Sequence, residues 1–137
     1  MMTIEEIQNQ IVDEFAIFDD WMSKYEYIID LGKSVPAIEE KSKTEDNLIK
    51  GCQSRVWLEA EMRDGALFFT ADSDAIITKG IISLLIRVFN GHSPKEIAEA
   101  DFSFIEKIGL IENLTPTRAN GLVSMIERIK TEANNRL

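Results

Sequence analysis

The sequence holds a single cysteine, Cys52, and a single histidine, His92, among 137 residues. One cysteine closes no internal disulfide and cannot supply a four-thiolate zinc or iron–sulfur site within one chain. One histidine offers no pair for a metal, and His92 stands in the turn-like stretch Asn90-Gly91-His92-Ser93-Pro94, where a solvated side chain is expected. Positive charge is also short. Lys plus Arg number 15 against 24 Asp plus Glu, a net charge of −9, so the basic footprint of phosphate-backbone binding is missing and nucleic acid is not an expected partner. The most apolar stretch, residues 75–89, is interrupted by Lys79, Gly80 and Arg87 and falls short of the roughly 20 residues that span a bilayer, so no membrane partner is expected. Residues 1–10 carry Glu5 and Glu6 without a basic region ahead of an apolar run, which gives the expectation of a cytoplasmic protein whose thiol stays reduced. The Gly-x-Gly-x-x-Gly, phosphate-loop and Gly-x-Ser-x-Gly patterns are absent, and no carboxylate spacing singles out an acid and a base.

What is present suits one packed domain over residues 1–137. The composition is 45% hydrophobic and 28% charged, which excludes disordered and fibrous classes. Thr3 and Glu6 form a capping box ahead of an apolar stripe of Ile4, Ile7, Ile11 and Phe15. A second stripe of Trp21, Tyr25, Ile28 and Ile29 follows the Asp19-Asp20 break and is expected to end at Gly32 as a C-terminal cap. Residues 33–50 are charged and poorly periodic, which reads as a solvated connecting segment. The period then changes to two. Val56, Leu58, Ala60 and Met62 alternate with more polar residues, and Asp64-Gly65 is a two-residue hairpin signal. Pairing across that turn makes opposed positions sum to 129, which sets Met62 against Leu67, Ala60 against Phe69 and Leu58 against Ala71. On the other face Trp57 and Phe68 are apolar exceptions, and a helix covering part of that face is expected in preference to an exposed docking patch.

Asp72-Ser73-Asp74 reads as the cap of an apolar helix running to Phe89, with Asp74 as its simplest N-cap. Gly80 inside that helix costs about 1 kcal/mol relative to Ala, which predicts a close backbone approach in compensation. Ser93-Pro94-Lys95-Glu96 is a second capping box, residues 102–110 read as a short helical turn closed by Gly109, and Thr115-Pro116 opens the last helix with Leu122, Met125, Ile126 and Ile129 on one stripe. The expected fold class is α+β, a small antiparallel β-sheet packed against helices, with no third strand located.

Cys52 lies where the charged segment meets the first strand. Local context leaves two readings open: a small buried hydrophobe without chemistry, or a reactive thiol favoured as thiolate by the nearby Lys50 and Arg55. Around it, Asn47-Leu48-Ile49-Lys50-Gly51-Cys52-Gln53-Ser54-Arg55-Val56-Trp57-Leu58 resembles the signature of SufE-type sulfur-acceptor proteins, accessory partners of cysteine desulfurases. Residues 73–80 and 114–122 resemble two further blocks of that family, and the helical pair around Trp21, Tyr25 and Leu31-Gly32 fits it as well.

The resemblance implies an α+β sandwich of the SufE and IscU kind, the latter being the scaffold fold on which iron–sulfur clusters are assembled, here without the scaffold's ligand cysteines. It implies that Cys52 takes persulfide sulfur from a pyridoxal-phosphate-dependent desulfurase of the SufS or CsdA kind, stimulates it, and delivers the sulfur to a scaffold complex. No cofactor is expected on this chain itself. Gly51 and Gln53 would form the active loop with Cys52, Arg118 would pair with a carboxylate or steady the thiolate, and Asp74 would border the docking surface; a second copy of the chain is a further candidate partner. Two other classes stand beside this reading. One is an allosteric activator or binding module whose cysteine is incidental. The other is a thiol peroxidase or redox sensor, for which neither a peroxidatic motif nor a resolving cysteine is present.

Overall fold

In the computed structural model, which describes residues 2–137, Thr3 opens α1 (Ile4–Phe15) through the expected capping box: its hydroxyl accepts the Glu6 N–H while the Glu6 carboxylate accepts the Thr3 N–H. Asp20 caps α2 (Trp21–Leu31) by accepting the Ser23 N–H at 2.7 Å. Gly32 is no left-handed stop. Its φ is −59°, and the chain passes into a 3₁₀ turn over Gly32–Ser34. What requires glycine here is proximity: α2 and α3 (Ile76–Phe89) approach so closely that a Cβ at Gly80 would collide with the Ile28 carbonyl oxygen. The close approach expected at Gly80 is thus present, and it sets the crossing of the two central helices.

β1 (Val56–Arg63) and β2 (Ala66–Ser73) form the antiparallel hairpin in the expected register, from Val56 opposite Ser73 to Arg63 opposite Ala66. Asp64 and Gly65 both take positive φ, 51° and 81°, as the tight turn demands. Val56, Leu58, Leu67, Phe69 and Ala71 line the buried face, against which α3 packs. Full burial of a side chain such as Leu58 or Phe69 stabilises by about 1.5–3 kcal/mol. Among the described residues the sheet has two strands, extended by isolated bridges of Ala37 beside Ala71 and Leu48 beside Trp57. The fold is α+β, a small antiparallel sheet against seven α-helices among the described residues, completed by α4 (Pro94–Glu99), α5 (Ser103–Lys107), α6 (Leu110–Asn113) and α7 (Pro116–Asn134). None of the helices described is long and apolar enough to cross a membrane.

Four local expectations are corrected. Residues 33–50 are not simply solvated, because Ile38 and Ile49 are buried and tie the segment to the sheet edges. No helix covers Trp57 and Phe68; cations do. Lys43 Nζ lies 5.3 Å from the Trp57 ring centroid and the Arg63 guanidinium 3.9 Å from that of Phe68. Asp74 is not the N-cap of α3, whose cap position is Ala75 without a side-chain bond. Its carboxylate instead accepts the Arg55 N–H at 3.0 Å, and that competing bond decides the outcome. His92 is buried rather than solvated, with Nε2 3.0 Å from the Met2 carbonyl oxygen, because its turn folds back to bridge Leu67 at the start of β2.

Candidate functional site

The loop that carries Cys52 is a six-residue excursion, Lys50 to Arg55, with a fastened base. Ile49 donates its N–H to the Val56 carbonyl at 2.8 Å, Leu58 donates to Asn47 at 2.8 Å, and the Asp74 N–H donates to the Arg55 carbonyl at 3.2 Å. Arg128 of α7 supports the incoming strand from outside, donating to the Asp46 carbonyl at 2.7 Å. Above this base the fastening stops. Residues 50–54 make no backbone–backbone hydrogen bond among the described residues. The tip is steered by Gly51, whose φ is +90° and whose α-carbon faces Ser124 so closely that a Cβ would meet the Ser124 hydroxyl. That geometry turns Cys52 inward. Its thiol donates to the Gly121 carbonyl of α7 at 3.6 Å, a weak bond.

Cys52 is half-buried, and burial pushes its thiol pKa up. No neighbouring cation contributes to that shift. Lys50, close in sequence, instead pairs with Glu45 at 2.6 Å. The expectation that Lys50 and Arg55 favour the thiolate therefore fails for the tucked loop: burial favours the neutral thiol.

Beside the sulfur lies a cavity of about 20 Å³, between the loop, α3 and α7. Cys52, Gln53, Thr78, Arg118, Gly121 and Met125 are among its walls. The fold thus brings Arg118 to Cys52 across 66 residues of sequence. Arg118 shares the cavity wall with Cys52. Among the described ion pairs it meets no carboxylate, and its guanidinium donates to the Tyr25 hydroxyl of α2 at 3.4 Å. Gly51 and Gln53 are largely exposed, although Gln53 also borders the cavity. Asp74 sits at the loop base rather than in the cavity. Sequence reasoning gives no signal for Ser124, and for Thr78 only its place in the family-like block 73–80. Gly121 lies inside a family-like block, which is the one signal that pointed toward it. No group of three or more His, Cys, Asp or Glu among the described residues is placed to hold a metal ion.

Comparison with known proteins decides the family. A family model described as SufE, an Fe-S metabolism associated domain, matches residues 9–133. The chain belongs to the SufE family. SufE-like proteins similar to it include one from Rhizobium meliloti, 44% identical over 94% of this chain and 96% of its own. A second, from Synechocystis, is 38% identical over 90% of this chain and 78% of its own. A solution structure of a hypothetical protein from Thermus thermophilus shares the fold, with a TM-score of 0.77 at 21% identity and coverage of 94% of both chains. SufE membership places this chain in iron–sulfur metabolism. Within the SufE domain, the tucked thiol, the unfastened loop tip and the small cavity form one constellation.

Proposed function

We propose that this SufE-family chain is a single-domain cytoplasmic sulfur acceptor that takes persulfide sulfur from a cysteine desulfurase onto Cys52 and passes it to an iron–sulfur scaffold. The observation that carries this reading is a lone cysteine at the tip of a loop fastened at its base and held at its tip by one weak S–H···O contact. Such a tip leaves the protein surface at small free-energy cost while its base stays in register.

The chemistry follows from that movement. Tucked, the half-buried thiol is biased toward its protonated form, which is the poorer nucleophile. Extended toward a partner, it regains the solvation that lets it ionise. The Cys52 thiolate then attacks the terminal sulfur of the desulfurase persulfide, an S–S bond forms to Cys52, and the desulfurase cysteine leaves as a thiolate with the electron pair of the broken bond. No net oxidation or reduction occurs. Pyridoxal phosphate belongs to the partner, where it releases sulfur from L-cysteine. With one cysteine in this chain, no internal thiol discharges the persulfide as a disulfide.

The test is the mass of the protein after incubation with a SufS- or CsdA-like desulfurase and L-cysteine. A gain of one sulfur on Cys52, absent in Cys52→Ser together with loss of desulfurase stimulation, is expected. Undiminished stimulation by Cys52→Ser overturns the relay and leaves the activator reading in its place.

A further inference from the structure

Thr78 is the buried polar side chain in the cavity wall that the sulfur-acceptor reading leaves without a task. It is 7% exposed, lies in the first turn of α3, and faces the same cavity as Cys52. No side-chain hydrogen bond of Thr78 occurs among the described residues, and its oxygen is not one of the sealed-off, unpartnered polar atoms, a condition met by His92 Nδ1. The Thr78 oxygen therefore has open space before it. A hydroxyl with open space before it is free to donate to a group that enters that space.

The cavity measures about 20 Å³, close to the room one water-sized sphere needs. A second sulfur on Cys52 sits about 2.05 Å from Sγ, so the outer sulfur of an inward-turned persulfide is of the size this space admits. The walls suit it. Ile81 and Met125 offer apolar contact, Arg118 offers a cation, and Gly121 presents a carbonyl that accepts but cannot donate. A persulfide is more acidic than its parent thiol, and as an anion it needs a donor; Thr78 is the neutral donor on the α3 side.

We infer that Thr78 is a positioning residue that donates a hydrogen bond to the terminal sulfur of the Cys52 persulfide and holds it in the cavity. This rests on the sulfur-acceptor reading above. The bond is worth what a hydroxyl gives a charged acceptor, and it is absent from the unloaded protein, so Thr78 favours the tucked state only when sulfur is aboard.

The full-length protein is loaded with inorganic polysulfide. The Cys52 thiolate bonds to a terminal sulfur of the chain, and the adjacent S–S bond breaks with its electron pair on the shortened polysulfide. Cyanide then removes the outer sulfur as thiocyanate and returns the Cys52 thiolate. Thr78→Val, nearly isosteric but without the hydroxyl, is expected to release thiocyanate about tenfold faster than wild type; Thr78→Ser restores most of the protection. Equal rates for wild type and Thr78→Val overturn the inference, as does a Thr78→Ser rate no slower than that of Thr78→Val, which assigns the effect to packing. A measurement on wild type stands independently of how the variants fold: the Thr78 methyl resonance shifts when Cys52 is loaded, and an unmoved resonance overturns the inference. Polysulfide loads Cys52 without a desulfurase, so these outcomes judge Thr78 alone, whereas failure of a desulfurase to load Cys52 overturns the acceptor reading.

Discussion

Replacing Gly51 with alanine tests whether the loop tip is held by backbone geometry. The residue has φ +90°, where an L side chain is strained by about 1–2 kcal/mol, and its new Cβ would meet the Ser124 hydroxyl. The strain is local. It falls on the segment whose tucked state rests on one weak sulfur contact, whereas the base is secured by the Ile49–Val56 and Asp74–Arg55 bonds. The loop is therefore expected to yield by extending, with the rest of the fold intact. At about 1.4 kcal/mol per factor of ten, the backbone term alone raises the extended population by roughly 5- to 30-fold. The assay is the rate of Cys52 alkylation by iodoacetamide at fixed pH, read by mass, with the thermal midpoint as control. Pairing Gly51→Ala with Ser124→Ala separates the two causes: the double variant keeps the φ strain but loses the clash, so its rate falls between those of wild type and Gly51→Ala. An unchanged alkylation rate in a folded Gly51→Ala protein refutes the claim that Gly51 sets the position of the thiol.

Burial raises the Cys52 pKa, so its alkylation is expected to inflect at higher pH in the folded protein than in urea. Because the folded value is the raised one, the linked stability is fully present below the unfolded thiol pKa and declines as pH rises through the folded one; a Cys52→Ser variant lacks that alkaline decline in a urea-denaturation series. Gly80→Ala places a methyl against the Ile28 carbonyl, and the clash outweighs the helix-propensity gain of about 1 kcal/mol. A net loss of about 1–3 kcal/mol is expected in urea unfolding, and a stabilised variant contradicts the close packing of α2 on α3.

Alternation in residues 56–62 with Asp64-Gly65 specified the hairpin and its register, because a period of two and a two-residue turn leave one pairing that buries Leu58, Leu67 and Phe69 together. The capping boxes at Thr3 and Ser93 were equally legible, since their donors and acceptors lie three residues apart. Local rules failed where a distant group competed. Asp74 looks like a cap until the Arg55 N–H is folded against it, and His92 looks like a solvated turn until the chain lays it over Leu67.

The hairpin and its register, the capping boxes, the family and the identity of the lone thiol were legible in the chain alone, because each depends on neighbours along it or on blocks of consecutive residues. Only the tertiary structure decided the state of that thiol. Cys52, Thr78, Arg118 and Gly121 come from a loop and two helices, and no local period records that they will share one cavity. Whether the sulfur is buried and protonated or exposed and ionised follows from that assembly, because desolvation is a property of the packed surroundings and not of the residues beside it in the chain.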